Sequence, residues 1–554
     1  MKTVIIGGVA GGASAAARLR RLDEKGEIIV LERGQYVSFA NCGLPYYIGG
    51  TIKEQSKLTL QTPASFKSRF NIDVRVLNEA VSIDPEKKSV TIRKVDSGEV
   101  YEENYDNLIL SPGAEPNRPA IEGIGNENVF TLRNIPDTLK IKAYIDEHSP
   151  KSAVIVGGGY IGIEMAENLV AAGIEVSVVE RSEHIINALD FDMAAEVQKY
   201  LRDKGVKLYL NSSANAITKN GVVIEGGEIN ADIVIMAVGV TPETSLAKAC
   251  GIETNARGSI LVNEKMQTNI EGIYAVGDAV EVINYITRQP AFIPLAGPAN
   301  KMGRIAADNI AGYESVYEGT MGSSVIKVFD MTVAMTGLTE EAAKAAGYDY
   351  DKTYTYSASN ASYYPGGINM SIKLIWDKKT LSVLGSQIVG FNGVDKRMDV
   401  IATVIRLGGK VTDLAKLELC YAPPFSSAKD PVNMAGFVAE NVISGKVKQF
   451  FWHDVAELPR DGSVVLLDTR TPAEVSRGKI DGFMNIPVDN LRERIDEIPT
   501  GKPVYVHCHS GLRSYIACMI LAGLGFDCYN LAGGWRFYEA VINEKTVVDH
   551  PCYF

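Results

Sequence analysis

Cysteine is scarce in this chain. The 554 residues include seven cysteines, at positions 42, 250, 420, 508, 518, 528 and 552. No two of them form a Cys-x-x-Cys pair, which argues against a zinc knuckle and a thioredoxin-type dithiol. The low, odd number also argues against a disulfide framework, so we expect a reducing, cytoplasmic environment in which most of the thiols are buried.

A net positive charge and long apolar runs are lacking too. The formal net charge is −11, which argues against nucleic acid or an anionic membrane surface as a partner. No apolar run approaches the roughly 18 residues of a membrane span. The N-terminal stretch could pass for a secretory signal, but Arg18, Arg20 and Arg21 follow at once, and its glycines fit a nucleotide loop better.

Glycine, by contrast, is concentrated at two predicted strand-to-helix turns. The stretch KTVIIGGVAGGASAAARLRR reads as a buried strand, a glycine turn and a helix, and a second strand, EIIVLE, ends in Glu32. Gly7 and Gly12 would let the backbone approach a pyrophosphate, and Glu32 would bond a ribose hydroxyl. Val9 replaces the usual middle glycine, so an ordinary turn is the alternative interpretation of this motif alone.

The second turn has the complete motif. In SAVIVGGGYIGIEMAENLVAAGIEVSVVE, the residues Gly157, Gly159 and Gly162 have G-x-G-x-x-G spacing, and the following strand ends in Glu180. An acid there would repel a 2′-phosphate, which favours NADH, although the neighbouring Arg181 leaves NADPH possible. Two such units predict two dinucleotides, one a resident flavin and the other a nicotinamide that enters and leaves.

Three further segments carry a family resemblance. LILSPGAEP, VIMAVGVTPET and GIYAVGDAV, taken with the two glycine motifs, resemble the FAD- and NAD(P)-dependent pyridine nucleotide–disulfide oxidoreductases over about residues 1–445. The resemblance implies that Asp278 holds the ribityl chain of FAD. A turn aspartate would otherwise be the simpler interpretation of that residue.

The segment SFANCG resembles the single-cysteine branch of this family, which comprises coenzyme A disulfide reductases, NADH peroxidases and NADH oxidases. Its one thiol is Cys42. In this branch the second sulfur comes from a bound thiol, or else the cysteine cycles through a sulfenic acid. A buried structural cysteine is the alternative for an isolated thiol.

The resemblance also implies a coenzyme A pocket. Coenzyme A carries a 3′-phosphate and a pyrophosphate, which suit arginine. Ser14, Arg18 and Arg21 recur at helical spacing and so share one helix face, for which a solvated surface is the alternative. A further basic position of these reductases is Phe70 here. The residues that match the pocket are Ser14, Arg18, Arg21, Ser38, Asn41 and Lys429.

Two segments resemble the dimerisation domain of the same reductases. These are ASYYPGG and CYAPPFSSAKDPVNMAG. The resemblance implies that Tyr363 and Tyr421 reach the thiol site of the partner subunit, where a phenol could protonate a leaving thiolate. Phe425 stands where a second tyrosine is common, and ordinary packing is the alternative for both tyrosines.

The C-terminal region resembles a rhodanese (sulfurtransferase) domain over about 450–540. Its loop CHSGLR runs from Cys508 to Arg513, and backbone N–H groups would face the thiol and stabilise a persulfide. Tyrosine phosphatases use a related loop that is one residue longer, so a phosphatase and an inert fold are the alternatives. Cys518, Cys528 and Cys552 are expected to be packing thiols.

We therefore expect an α/β protein with two Rossmann-like nucleotide-binding domains, an α+β dimerisation domain and a C-terminal α/β rhodanese domain. The expected boundaries are 1–115 and 245–320 for the two parts of the FAD-binding domain, 116–244 for the NAD-binding domain, 321–446 for the dimerisation domain and 447–554 for the rhodanese domain.

The predicted function is that of a homodimeric, NADH-dependent flavoprotein without a metal. It would use Cys42 to reduce the S–S bond of coenzyme A persulfide, polysulfide or coenzyme A disulfide, and Cys508 would carry sulfane sulfur. One alternative is an NADH peroxidase or oxidase that forms a Cys42 sulfenic acid. A non-catalytic alternative is a sulfide or redox sensor.

Overall fold

The computed structural model describes residues 1–549, which form two compact units. The first unit comprises residues 1–181 and 212–322, and the second comprises residues 182–211 and the chain from 323 onward. Cys552, for which the sequence predicts a packing role, lies outside the described residues. No helix within residues 1–549 is long and apolar enough to cross a membrane.

The first unit contains a parallel sheet built around the N-terminal strand. Its strands are short apolar runs, as expected for a sheet that is covered on both faces. The helix Ala10–Leu22 packs against the helix Ala296–Ile310. In spatial order the strands are Ile273–Ala275, Asn107–Leu110, Lys2–Ile6, Glu27–Glu32 and Asp73–Val76.

A second parallel sheet in the same unit contains the strand that leads into the second glycine turn. The helices Ile135–His148 and Tyr160–Ala171 belong to this part of the chain. Both sheets place their glycine turns at the carboxyl ends of strands, which is where doubly wound folds bind ligands. In spatial order the strands are Glu175–Val179, Ser152–Val156, Ile233–Met236 and Val129–Thr131.

Smaller elements complete the first unit. The short helices are Leu44–Ile48, Pro63–Phe70 and Ser245–Ala249. The remaining strands pair in small antiparallel groups: Asn78–Asp84, Ser89–Lys94 and Val100–Asn104; Ala216–Ile217, Gly221–Ile224 and Gly227–Asn230; Ala114–Pro116 and Val240–Pro242; Val282–Ile283 and Pro290–Ala291.

The second unit contains an antiparallel sheet with helices. Its helices are Phe191–Asp203, Glu340–Ala345, Val394–Arg406 and Pro431–Ile443, and the strand Lys207–Tyr209 also lies in this unit. In spatial order the sheet strands are Ser324–Val328, Met331–Gly337, Val383–Gly390, Asn369–Asp377 and Tyr350–Ala358.

The C-terminal part of the second unit has its own parallel sheet and apolar core. Its helices are Pro472–Val475, Leu512–Gly523 and Gly534–Asp549. The sheets and helices of the two units together confirm the predicted α/β fold class. In spatial order the strands are Lys448–Phe450, Cys528–Leu531, Val504–His507, Val465–Asp468 and Met484–Asn485.

Polar contacts fix this C-terminal part to the helix Phe191–Asp203. The Arg536 guanidinium donates to the Glu196 carboxylate at 2.8 Å, and the Gln198 amide donates to the Glu544 carboxylate at 3.0 Å. The Glu196 and Glu544 side chains are only 7% and 6% exposed. Buried charges of this kind hold their partners in one geometry, because separating them would leave a carboxylate unpaired.

A buried lysine organises the antiparallel sheet nearby. Lys373 Nζ lies 2.8 Å from Asp190, 2.8 Å from Asp192 and 2.5 Å from Glu340. Burial alone would lower the pKa of Lys373, but the three carboxylates outweigh burial and raise that pKa. The carboxylates are close enough together to bind a metal ion, but the ammonium group already occupies the position between them.

Candidate functional site

The first glycine turn is shaped by close backbone approach. Gly7 has a φ of +96°, and a Cβ added at Gly12 would lie 1.9 Å from the Gly7 carbonyl oxygen. The Gly8 N–H donates to the Glu32 carboxylate at 3.1 Å. The helix Ala10–Leu22 begins without a side-chain cap, so its first N–H groups are suited to a phosphate.

The second turn repeats this geometry. A Cβ at Gly162 would lie 2.0 Å from the Gly157 carbonyl oxygen, whereas a Cβ at Gly159 would meet no protein atom within 4 Å. Internal packing therefore does not require glycine at 159, but a ligand against the backbone would. The Gly158 N–H donates to the buried Glu180 carboxylate at 2.7 Å.

Asp278 lies in the short helical turn Gly277–Ala279, which follows the edge strand of the first sheet. Desolvation raises the pKa of this half-buried carboxyl, and the charge of Arg133 opposes the shift. Within residues 1–549, no protein group donates a hydrogen bond to the carboxylate. An incompletely satisfied carboxyl beside the first nucleotide turn fits a flavin-chain hydroxyl.

Cys42 lies in the short helical turn Asn41–Gly43, directly before the helix Leu44–Ile48. Leu44, Pro45 and Ile48 are buried and anchor this helix, while the thiol is open to solvent. Desolvation by the surrounding protein raises the pKa of Cys42, and the negative charges of Glu164 and Asp278 raise it further. The protein alone therefore does not activate this thiol.

Glu164 and Tyr46 also belong to the thiol site, and the sequence motifs did not predict either residue. Desolvation, followed by the charge of Glu167, raises the pKa of Glu164 from 4.5 to about 7. Desolvation, followed by Glu164 and Glu167, raises the pKa of Tyr46 to about 12. The signal in the sequence was the position of Glu164, two residues after Gly162 on the second nucleotide helix.

Four of the predicted coenzyme A residues meet at one cavity of about 410 Å³. Ser14 donates to the Asn300 side chain at 2.8 Å. Arg18 Nε donates to Asp308 at 2.6 Å. Neither Asn41 nor Lys429 lines the cavity; both are exposed. The full lining is Ala13, Ser14, Ala17, Arg18, Arg21, Ser38, Gln61, Phe66, Phe70, Asn300 and Arg304.

In the second unit, Tyr363 and Tyr421 come together across two loops. Their hydroxyl oxygens are 2.8 Å apart, and the side chains are exposed, at 74% and 47%. Phe425, on the same loop as Tyr421, is 70% exposed. Exposed aromatic residues in a cluster are typical of a surface that another molecule covers.

Arg397 holds these two loops in place. Its buried guanidinium donates to the Ser359 carbonyl oxygen at 2.9 Å and to the Phe425 carbonyl oxygen at 3.3 Å. It also donates to the Asp430 carboxylate at 2.9 Å. Ser359 precedes the Tyr363 loop and Phe425 ends the Tyr421 loop, so one side chain sets the position of both. No motif in the sequence pointed to this arginine.

The predicted sulfur-transfer loop forms a cup around Cys508. This residue follows the strand Val504–His507 and is buried. Its sulfur accepts hydrogen bonds from the Gly511 N–H at 3.1 Å and from the Ser514 hydroxyl at 3.3 Å. Donors aimed at the sulfur, at the start of a helix, stabilise a thiolate or persulfide there.

The helix Leu512–Gly523, which follows the loop, contributes to a charged pair. The Arg513 guanidinium donates to both oxygens of Glu474, at 2.8 and 2.6 Å. At the end of the strand before the loop, burial lowers the pKa of His507 to about 4, so this histidine is neutral near pH 7. Cys518 and Cys528 lie in the apolar core of this region.

The chain matches three protein-family descriptions. Pyridine nucleotide-disulphide oxidoreductase matches residues 1–299, and the dimerisation domain of that family matches residues 323–431. Rhodanese-like domain matches residues 452–540. The first match contains the two glycine turns and Cys42, the second contains Tyr363 and Tyr421, and the third contains the loop around Cys508.

Similar proteins extend these matches. A coenzyme A disulfide reductase of Staphylococcus haemolyticus is 35% identical over 443 residues, which cover 80% of this chain and 100% of that one. The reduced CoADR-RHD of Bacillus anthracis is 49% identical, with a TM-score of 0.96 and 98% of both chains covered. An NAD-dependent persulfide reductase from A. fulgidus is 39% identical, with a TM-score of 0.91, covering 97% of this chain and 100% of that one.

Proposed function

The chain belongs to the pyridine nucleotide-disulphide oxidoreductase family and ends in a rhodanese-like domain, and from this premise we propose that it reduces coenzyme A persulfides, polysulfides or disulfides with NADH. The proposal is that of an enzyme with FAD as its resident cofactor. The observation that carries it is a solvent-open thiol, Cys42, in the same unit as two nucleotide turns and an arginine-lined cavity.

The two glycine turns have distinct roles in this proposal. The turn at Gly7 and Gly12, with Glu32 and Asp278, holds FAD, and the turn at Gly157–Gly162 holds the nicotinamide nucleotide. Glu180, at the end of the following strand, favours NADH. When bound, FAD supplies the two electrons of NADH to the sulfur chemistry.

Cys42 is the nucleophile of the proposed reaction. Its thiolate attacks the S–S bond of a coenzyme A persulfide or disulfide, and a mixed disulfide forms while hydrosulfide or a thiolate leaves. Two electrons and a proton then release the coenzyme A thiol and restore Cys42. Ser14, Arg18, Arg21 and the other predicted pocket residues orient the substrate through its phosphates.

We propose two further roles for residues of the second unit: proton donation to the leaving thiolate, and sulfur transfer at Cys508. In a homodimer, Tyr363 and Tyr421 complete the thiol site of the partner subunit and donate a proton to the leaving thiolate, with Lys429 beside the substrate. Cys508 carries sulfane sulfur as a persulfide, which Arg513 and the loop N–H groups stabilise. We propose the domain boundaries at residues 115, 244, 320 and 446, and a cytoplasmic location.

The test is NADH oxidation by the purified flavoprotein with three oxidants: coenzyme A persulfide, coenzyme A disulfide and hydrogen peroxide. We expect the sulfur substrates to be reduced and peroxide to be poor. Cys42→Ser should abolish turnover, Cys508→Ser should abolish sulfur transfer to cyanide while sparing coenzyme A disulfide reduction, and Cys250→Ser is the matched control. A protein that lacks flavin, or that prefers peroxide, contradicts the proposal.

A further inference from the structure

An additional arginine lines the cavity beside the first helix. Arg18 and Arg21 come from the helix Ala10–Leu22, and Arg304 comes from the facing helix Ala296–Ile310. The two helices are held together there by the bond from Ser14 to Asn300. The cavity therefore has guanidinium groups on two walls.

The guanidinium groups of Arg18 and Arg304 are not equally available to a ligand. Arg18 lies 2.6 Å from Asp308, which is only 8% exposed, so its charge is largely neutralised. Arg304 lies 4.0 Å from the same carboxylate, and its side chain is 58% exposed. One buried carboxylate cannot balance two arginines, so Arg304 carries positive charge that faces the cavity.

The helix Pro63–Phe70 adds aromatic side chains to the cavity lining. Phe66 and Phe70 line the cavity, with ring centroids 6.1 Å apart. An aromatic ring binds the flat face of a purine but provides no charge for a phosphate. The positive charge that attracts a phosphate to this cavity therefore comes from the arginines, and Arg304 is the one that no sequence motif identified.

We propose that Arg304 is a specificity-determining residue that binds a phosphate group of the coenzyme A substrate. The inference rests on the proposed function for the identity of the ligand. A guanidinium matches phosphate oxygens through paired N–H donors. Arg304 selects thiols that carry the phosphorylated nucleotide over thiols that have the pantetheine arm alone.

Calorimetric titration of the reduced holoenzyme with coenzyme A, 3′-dephospho-coenzyme A and pantetheine tests this assignment. We expect Arg304→Gln to weaken coenzyme A binding by about tenfold, as for loss of a charge-assisted hydrogen bond, and to leave pantetheine binding unchanged. Arg304→Lys should keep part of the affinity. Lys301→Gln, on the same helix but outside the cavity lining, should change nothing.

The dephosphorylated ligand identifies which phosphate is bound. If Arg304→Gln leaves its binding unchanged, Arg304 contacts the 3′-phosphate; an equal tenfold loss assigns the pyrophosphate. The assignment is overturned if the variant binds coenzyme A like the parent protein, or loses the same factor with pantetheine. A parent protein that binds coenzyme A but reduces none of coenzyme A persulfide, polysulfide and coenzyme A disulfide contradicts the proposed function and leaves the Arg304 assignment intact.

Discussion

The reactivity of Cys42 should depend on the ionisation of Glu164. The pKa of Glu164 is about 7 rather than 4.5, a difference worth about 3 kcal/mol in favour of the protonated carboxyl in the folded protein. Below pH 7 the carboxyl is neutral; above it, its charge raises the pKa of Cys42. Glu164→Gln removes that charge and should make the thiol more reactive in alkaline solution.

The expected magnitude follows from Coulomb's law. At an effective dielectric constant near 20, two unit charges about 15 Å apart repel by about 1 kcal/mol, which corresponds to about fivefold in thiolate population. In the reduced protein, iodoacetamide should therefore alkylate Cys42 about equally fast in both proteins at pH 6, and about fivefold faster in the variant at pH 8. Peptide mass spectrometry measures the rate.

The same carboxyl affects stability with a defined sign. Its folded pKa lies above its unfolded value, so the protonated form stabilises the fold fully below pH 4.5, and this contribution is lost as the pH rises through about 7. Glu164→Gln should therefore gain thermal stability over the parent protein between pH 5 and pH 8. Glu175→Gln, on an exposed strand position, is the control.

Identical pH profiles of Cys42 alkylation in the parent protein and in Glu164→Gln would refute the reasoning.

Three further outcomes are expected. Glu180→Ala should reduce the preference for NADH over NADPH by about tenfold, since the repulsion of a 2′-phosphate is lost; steady-state KM values measure this. Arg397→Leu leaves Asp430 buried and unpaired, at a cost of about 3–5 kcal/mol, so its unfolding midpoint should fall by several degrees while that of Lys396→Leu does not. Arg536→Met should speed limited proteolysis near residues 446–452 about tenfold, because Glu196 loses its buried partner.

The nucleotide turns could be predicted from the sequence because their chemistry is local. Gly7 and Gly12, like Gly157 and Gly162, are close in the chain, and the motif itself encodes their packing. The Cys508 cup is local for the same reason: Gly511 and Ser514 lie within six residues of the thiol. A short segment that closes on itself can be interpreted without the rest of the fold.

Residues that act across long separations in the chain could not be predicted in this way. Arg304 and Arg18 share a cavity although 286 positions separate them, and Arg397 reaches two loops from a helix between them. No periodicity or motif encodes such meetings, because they depend on how helices pack after the strands have paired. Asn41, which the family resemblance assigns to the substrate pocket, is exposed and does not line this cavity, so its role stays a prediction.

The ion pairs between Glu196 and Arg536 and between Glu544 and Arg202 have a consequence for the sulfur transfer that we propose for Cys508. A module on a loose tether samples its surroundings, and its rate of encounter depends on the length of the tether. Here the ion pairs hold the domain that contains Cys508 against the helix Phe191–Asp203. Lengthening the connector at 446–452 should therefore not alter how often Cys508 meets a reaction partner. If Cys508 carries sulfur as proposed, a diffusing small molecule must reach this buried sulfur atom, and the length of the connector does not set the rate of transfer.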